Sequence, residues 1–242
     1  MPLVLFAGQS NALGFGNTGP APYTPTWRVQ MWTDTNHNGV WDVGDNFNAM
    51  VPGVNTGTPN HPTAWGPEVQ FANDWLAANP AGILYIGKVA KGSTALAQND
   101  GLDWSPASRG ELFDQAATVA LHMRANLGVS KLDAVFWMQG EQDATNADWA
   151  ATYDVNLTSF ISEVRSQWMN EPDGYVGLGR ITDSVALPFS LDVRVAQWAE
   201  DQTDPNLHSF KTIGFDMQED GLHYSTAGQV ALGAAFFDGW AF

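Results

Sequence analysis

Two polar segments near opposite ends of the chain carry the residue types of a nucleophilic site. Gly8-Gln9-Ser10-Asn11 follows the apolar run 3–7, which predicts a buried strand. Such a strand would deliver Ser10 to its carboxyl end, where open α/β sheets bind their ligands. Ser10 is therefore a candidate nucleophile. The alternative is an Asn/Ser turn that only reverses the chain.

The second segment could supply the base that a serine hydroxyl needs, a histidine held by a carboxylate. Asp220-Gly221-Leu222-His223 places an acid three residues before a histidine, on a loop that precedes a predicted helix. We expect His223 to be the base and Asp220 the acid that orients it, with Asp216 or Glu219 as substitutes if the loop turns differently. The alternative is a solvated surface turn.

Four segments together resemble the carbohydrate acetylesterases related to sialate O-acetylesterase, a branch of the SGNH-hydrolase superfamily that includes acetyl xylan esterases. In the family's order they are the segment 8–11, the region of Gly92, Trp137-Met138-Gln139-Gly140-Glu141-Gln142-Asp143 and the segment 220–223. The resemblance implies a serine esterase that removes O-acetyl groups from acetylated xylan or sialic acid through an acetyl-enzyme. Ser10, His223 and Asp220 would be its catalytic triad, with no cofactor for catalysis.

An esterase also needs hydrogen-bond donors for the developing oxyanion. The amide of Ser10 is one candidate, and Gly92, just after a predicted strand, could bring a second amide close to the substrate. Gln139 follows the next predicted strand. The resemblance implies that its side chain is the third donor, where the wider superfamily uses asparagine. The alternatives are an ordinary turn glycine at 92 and a buried structural amide at 139.

Other functions remain open on the sequence. Glu141 and Asp143 could suggest glycoside hydrolysis, but we expect a structural role for both, with Glu141 anchoring its loop. A general short-chain acyl esterase would use the same triad. A calcium-loaded carbohydrate-binding module with a vestigial esterase site is the third alternative, since exposed faces among the eleven tryptophans could stack on sugars.

The order of predicted elements indicates an α/β fold that positions these residues. Strand and helix patterns alternate, which predicts a parallel sheet covered by helices on both faces. We expect one SGNH-type esterase domain over 1–242, a three-layer α/β/α structure with a flavodoxin-like five-stranded sheet. A long loop region at about 17–67 would be inserted, although 28–32 alternates like a strand. The predicted strands are 3–7, 83–90, 134–138, 175–181 and 212–215, and the predicted helices are 67–78, 111–127, 148–168, 193–202 and 226–240.

Composition limits the partners. Twenty-six acids against ten bases give a net charge of −16, which argues against nucleic acid, anionic membranes and strongly anionic polymers. We expect an acetylated carbohydrate or a small acetyl ester as substrate. The chain has no cysteine, so disulfides and thiol chemistry are excluded. No bilayer-spanning run or signal peptide is visible, and secretion with a leader that is absent here stays open.

The loop 34–45 resembles an EF-hand-type calcium loop, with a glycine at its sixth place. Its predicted oxygen ligands are Asp34, Asn36, Asn38, the carbonyl of Val40, Asp42 and Asp45. The flanking helices of an EF-hand are missing. Asn38-Gly39 is also a strong type I′ hairpin turn, which needs no metal. Three carboxylates close together would repel one another without a cation, and this favours a structural calcium ion beside the cleft.

Calcium binding at this loop predicts a metal-dependent melting temperature. Calcium should raise the Tm because it would bind only the folded loop. Asp34→Ala should abolish that rise while sparing most activity, as measured by thermal unfolding in calcium and in chelator. Identical melting curves in the two conditions would reduce the loop to a hairpin.

Overall fold

The computed structural model describes residues 1–17, 19–35, 44–58, 61 and 63–240, and all strands in these ranges form one seven-stranded sheet. The strands are β1 Leu3–Gly8, β2 Val29–Thr33, β3 Asn46–Ala49, β4 Leu84–Ala90, β5 Ala134–Met138, β6 Tyr175–Arg180 and β7 Leu207–Lys211. The order across the sheet is β3-β2-β4-β1-β5-β6-β7. Only the β2–β3 pair is antiparallel.

The predicted parallel α/β sheet is confirmed, but it has seven strands and not five. Without β2 and β3, the remaining order β4-β1-β5-β6-β7 is the flavodoxin-like one. The two additional strands come from the region 17–67, which we expected to be an inserted loop. Met31 of β2 pairs with Ile86 of β4, so this region extends the sheet at its edge.

The prediction for the last strand is wrong in position. The segment 212–215 is not a strand; the chain instead forms β7, at the other edge of the sheet. Leu207 and Ser209 are buried there, whereas His208 and Lys211 are exposed. A half-exposed edge strand lacks the continuous apolar run that identifies the central strands.

The helices largely follow the prediction. The exception is the segment 148–168, which divides into two α-helices and a π-helical stretch, Val164–Met169. Within the described ranges, no helix is both long and apolar enough to cross a membrane. The α-helices are α1 Ser10–Leu13, α2 Pro67–Ala78, α3 Leu112–Leu127, α4 Ala147–Ala151, α5 Tyr153–Glu163, α6 Ser190–Thr203 and α7 Thr226–Trp240.

The central strands are covered on both faces. Successive side chains of a strand point to opposite faces, and Phe136 and Trp137 of β5 illustrate this. The Phe136 ring lies 5.3 Å from that of Phe236 on α7. The Trp137 ring lies 4.3 Å from that of Phe160 on α5. Helices therefore pack on both sides of the sheet, which is the predicted three-layer architecture.

A buried ion pair connects three elements around the turn that follows β1. Lys88 of β4 and Glu68 of α2 are fully buried, with Nζ 2.8 Å from Oε1. The same ammonium donates to the carbonyl of Leu13 at the end of α1 (3.2 Å). Burial lowers the pKa of Lys88, and the charge and hydrogen bond of Glu68 oppose that shift. The pair thus joins β4, α2 and α1.

Removing one partner of this pair should be costly. Glu68→Ala leaves a buried ammonium without its counter-charge, and we expect a loss of about 3–5 kcal/mol in the free energy of unfolding, measured in urea. The double variant Glu68→Ala/Lys88→Met should recover part of that loss. A single variant within about 1 kcal/mol of the parent protein would contradict this role.

Candidate active site

The nucleophile candidate is placed by a glycine that no other residue could replace without strain. Gly8 ends β1 with φ +140°, and a Cβ there would lie 2.0 Å from the carbonyl oxygen of Met138. The chain turns sharply at this point and starts α1 at Ser10. Ser10 is 6% exposed. The turn therefore holds the Ser10 hydroxyl at the carboxyl edge of the sheet, just below the surface.

Ser10, His223 and Asp220 form one hydrogen-bonded chain. His223 Nε2 lies 3.0 Å from Ser10 Oγ, and His223 Nδ1 lies 2.7 Å from Asp220 Oδ2. The other oxygen of Asp220 accepts from the backbone N–H groups of Leu222 and His223, both at 2.9 Å. The structure brings the three predicted residues together in the order that a nucleophile, a base and an orienting acid require.

Two further observations bear on the acid. Burial opposes the charge of Asp220, but the hydrogen bonds from the His223 amide and imidazole and from the Leu222 amide outweigh it and lower the pKa of Asp220. The suggested substitutes, Asp216 and Glu219, form no hydrogen bond or ion pair with the His223 side chain among the described residues. Asp216 instead accepts a hydrogen bond from the Ser225 hydroxyl. Asp220 is thus an ionised acid held towards the imidazole.

Two backbone amides are available for an oxyanion. Gly92 lies beside the nucleophile, since a Cβ at this position would be 3.5 Å from Ser10 Cβ. Neither the Ser10 N–H nor the Gly92 N–H donates to another group in the part of the chain that the structure describes. Ser93 has a φ of +59°, a left-handed conformation that is uncommon for residues other than glycine. Both predicted backbone donors are therefore free to bind a substrate oxygen.

The predicted third donor, Gln139, does not fit this geometry. Its side chain is fully buried. Nε2 donates to the carbonyl of Thr94 (3.0 Å) and to Asp143 Oδ2 (2.6 Å), while Oε1 accepts from the hydroxyl of Tyr153 (3.0 Å). Both amide protons are in use, so Gln139 could donate to an oxyanion only by giving up one of these bonds. These bonds favour the alternative, a buried structural amide that holds Thr94, and a third donor at Gln139 stays a prediction.

Asp143 also binds the loop after β4, which carries Gly92 and Thr94. Its carboxylate accepts from the N–H groups of Leu96 (2.8 Å) and Ala97 (2.9 Å), besides Gln139. Burial raises the pKa of Asp143, and these hydrogen bonds oppose the shift. Trp104 Nε1 donates to the Thr94 hydroxyl (2.9 Å). The loop that carries Gly92 is therefore anchored through side chains that never reach the cleft.

Asn11 and Glu141 hold the histidine loop. Asn11 Nδ2 donates to Glu141 Oε1 (2.7 Å) and to the carbonyl of Leu222 (3.1 Å), while Asn11 Oδ1 accepts from the N–H of Tyr224 (3.0 Å). One side chain thus binds the residues on either side of His223. Glu141 is 2% exposed, and burial raises its pKa against the effects of the Asn11 hydrogen bond and the nearby His223. We expected Glu141 to anchor its loop, and its hydrogen-bond partner is the side-chain amide of Asn11.

Two further contacts belong to the site, and the first of them, made by Phe15, was not predicted from the sequence. The ring of Phe15 lies 5.0 Å from that of His223 and is 44% exposed, so it forms an apolar wall beside the base. Its position between Gly14 and Gly16 was the available signal. Gln9 Oε1 accepts from the N–H of Gln142 (3.1 Å), which joins the nucleophile turn to the segment after β5.

Most of the predicted calcium loop lies outside the described residues. This holds for Asn36, Asn38, Val40 and Asp42. Asp34 and Asp45 are described, and Asp45 Oδ1 accepts from the N–H of Thr35 (3.3 Å). The described ranges contain no group of three or more metal-ligating His, Cys, Asp or Glu side chains. The calcium site stays a prediction.

Comparisons with known proteins show the family and the fold of this chain. A family model described as carbohydrate esterase, sialic acid-specific acetylesterase matches residues 1–240. No curated protein sequence matches the chain. A solved protein from Arabidopsis thaliana is 20% identical with a TM-score of 0.80, and the alignment covers 100% of this chain and 98% of that one.

Two other solved structures share the fold at lower similarity. A carbohydrate acetylesterase from Xanthomonas citri is 17% identical with a TM-score of 0.67, over 99% of this chain and 57% of that one. An acetyl xylan esterase from Geobacillus stearothermophilus is 15% identical with a TM-score of 0.55, over 100% and 95% of the two chains.

The contacts of Asn11 predict that its removal lowers the rate of turnover. Asn11→Ala frees the histidine loop, and a displacement of that loop should lower kcat for an acetyl ester by roughly 10²-fold with little change in KM. The matched control is Asn146→Ala, which removes two hydrogen bonds at the start of α4. The control should lose about 1 kcal/mol of stability and keep its kcat. If Asn11→Ala also keeps a normal kcat, Asn11 does not position the base.

Proposed function

Because this chain belongs to the family of carbohydrate esterases described as sialic acid-specific acetylesterases, it is a carbohydrate acetylesterase, and we propose that it works through a serine nucleophile. One observation carries the proposal. The His223 ring lies between the other two side chains, with Nε2 3.0 Å from Ser10 Oγ and Nδ1 2.7 Å from Asp220 Oδ2. A hydroxyl joined in this way to an imidazole and a carboxylate is an activated nucleophile.

The first half of the reaction forms an acetyl-enzyme. Ser10 Oγ attacks the carbonyl carbon of the acetyl group while His223 Nε2 takes the hydroxyl proton. Asp220 accepts from Nδ1–H, which selects the tautomer with a free Nε2 and stabilises the imidazolium that forms. The oxyanion that forms accepts hydrogen bonds from the backbone N–H groups of Ser10 and Gly92. His223 then gives the proton to the sugar oxygen as the carbon–oxygen bond of the ester breaks.

The second half releases acetate. A water molecule takes the place of the sugar alcohol, and His223 Nε2 removes its proton as the oxygen attacks the acetyl carbon. The same two amides receive the second oxyanion, and the proton returns to Ser10 Oγ as the acyl bond breaks. Every proton in the cycle moves through His223, so the steps need no cofactor. We assign the proposed calcium ion at the loop 34–45 to stability and not to chemistry.

The substrate class that we propose is an O-acetylated sugar of the xylan or sialic acid type. The family model and the structural neighbours named for carbohydrate and xylan deacetylation support it. With a net charge of −16, the chain would repel a polymer with many negative charges, which favours a neutral polymer or a small substrate. Acetate release from acetylated xylan, acetylated sialic acid and a chromogenic acetate ester, run side by side, would rank them. Longer acyl chains on the chromogenic ester would identify a general short-chain esterase.

Loss of the Ser10 hydroxyl should abolish turnover and leave the fold intact. Ser10→Ala removes the nucleophile, and we expect kcat/KM for these esters to fall on the order of 10⁴-fold or more. The Tm should change little, because the substitution removes only one partly buried hydrogen bond, that between the Ser10 hydroxyl and His223. Ser130→Ala, at an exposed serine, is the control and should keep full activity. Near-normal turnover by Ser10→Ala would rule out the serine mechanism.

A further inference from the structure

A small cavity at the carboxyl edge of β6 and β7 collects positive charge in a strongly acidic protein. Its volume is about 90 Å³. Of the ten lysines and arginines in the chain, three line this space. The lining residues are Arg180, Ile181, Arg194, Lys211, Thr212 and Ile213. Such a concentration of cations is unexpected on a surface whose net charge is −16.

The charges of the cavity are only partly neutralised by the described residues. Arg180 Nε and Arg194 Nη1 are buried and have no hydrogen-bond partner there. Arg194 Nη1 lies 3.2 Å from Asp183 Oδ1, within ion-pair range but outside hydrogen-bond geometry, and the Asp183 side chain is 67% exposed. Because the Asp183 carboxylate is largely exposed, solvent screens its charge and weakens the pair.

The second nearby carboxylate, Asp201, does not neutralise the remaining charge either. Burial lowers the pKa of Arg180, and the charge of Asp201 only opposes that shift. Asp201 accepts instead from the Ser209 hydroxyl (3.1 Å). Lys211 is exposed and forms no ion pair with a described residue. Among the described residues, three cations thus lie near two carboxylates, and Arg180 Nε is a buried donor with neither a hydrogen bond nor an ion pair.

The cavity lies on the same edge of the sheet as the nucleophile. Arg180 ends β6, and β6 is two strands from β1, which corresponds to roughly 10 Å at the usual strand spacing. The wall of the cavity is also bonded to the histidine loop. The Tyr224 hydroxyl donates to Thr212 Oγ1 (2.6 Å), and Thr212 donates to the carbonyl of Arg180 (2.6 Å).

We propose that Arg180, Arg194 and Lys211 bind one small oxyanion, such as a carboxylate group. Guanidinium groups form paired, charge-assisted hydrogen bonds with planar oxyanions, and unpaired buried N–H donors are stabilised by such a ligand. The volume suits a single group and not a polymer of anions. The oxyanion is either the carboxylate of an acidic acetylated sugar, whose ester would lie at Ser10, or a free anion such as the product acetate.

The binding test uses calorimetric titration of the purified protein with sodium phosphate and with sodium acetate, at constant ionic strength. Arg180→Gln should weaken binding roughly tenfold or more, and Lys211→Gln, at an exposed position that tolerates change, by a smaller factor. Arg109→Gln is the matched control, because it removes the same charge from an arginine that is 77% exposed and does not line the cavity. It should bind like the parent protein. Equal affinities in all four proteins, or no binding by the parent protein, would overturn the proposal.

Kinetics then distinguish the two sources of the oxyanion. If the ligand is a sugar carboxylate, Lys211→Gln should raise KM for an acidic acetylated sugar and leave KM for acetylated xylan unchanged. If the ligand is a free anion, both KM values should stay unchanged while phosphate affinity falls. Anion binding does not require turnover. A parent protein that binds phosphate but hydrolyses no acetyl ester would therefore contradict the proposed function and leave this site standing.

Discussion

The geometry of the proposed triad depends on one buried side chain, the amide of Asn11. Ser10 and His223 are separated by 213 positions in the chain, and ordering that much chain between them costs conformational entropy. Asn11, the neighbour of Ser10, binds both neighbours of His223. Glu141 accepts from the same amide and so fixes its orientation. The distance between Ser10 and His223 is therefore set by hydrogen bonds that are buried or partly buried.

The segment after β5 acts on both walls of the site. Through Glu141 and Asn11 it holds the loop of the base, and through Gln139 and Asp143 it holds the loop of Gly92. Polar groups of this kind are costly to bury unless they are hydrogen-bonded. The Oε2 atom of Glu141 is the exception, since it is buried without a partner among the described residues, and burial raises the pKa of Glu141. The site thus keeps a desolvated carboxyl group in the shell of residues that holds the His223 loop.

Much of this arrangement is predictable from sequence because it depends on strand ends. Ser10 and the loop of His223 had to meet, since parallel strands deliver their following loops to one edge. The spacing of Asp220 and His223 needed no long-range information. Gln139 was harder, because only the fold reveals that Thr94 and Asp143 compete for its amide protons. The edge strand β7 was misplaced for a related reason: its exposed face removes the apolar signal on which strand prediction rests.

The central claim, that Ser10 is the nucleophile activated by His223, can be tested without knowing the sugar. The measurement is labelling by a serine-directed organophosphonate, followed by peptide mapping and parallel assay of acetate release. We expect one label per chain, on the peptide that carries Ser10, with activity lost in proportion to labelling. Full activity in a labelled protein, or inactivation with the label on another residue, would contradict the serine mechanism.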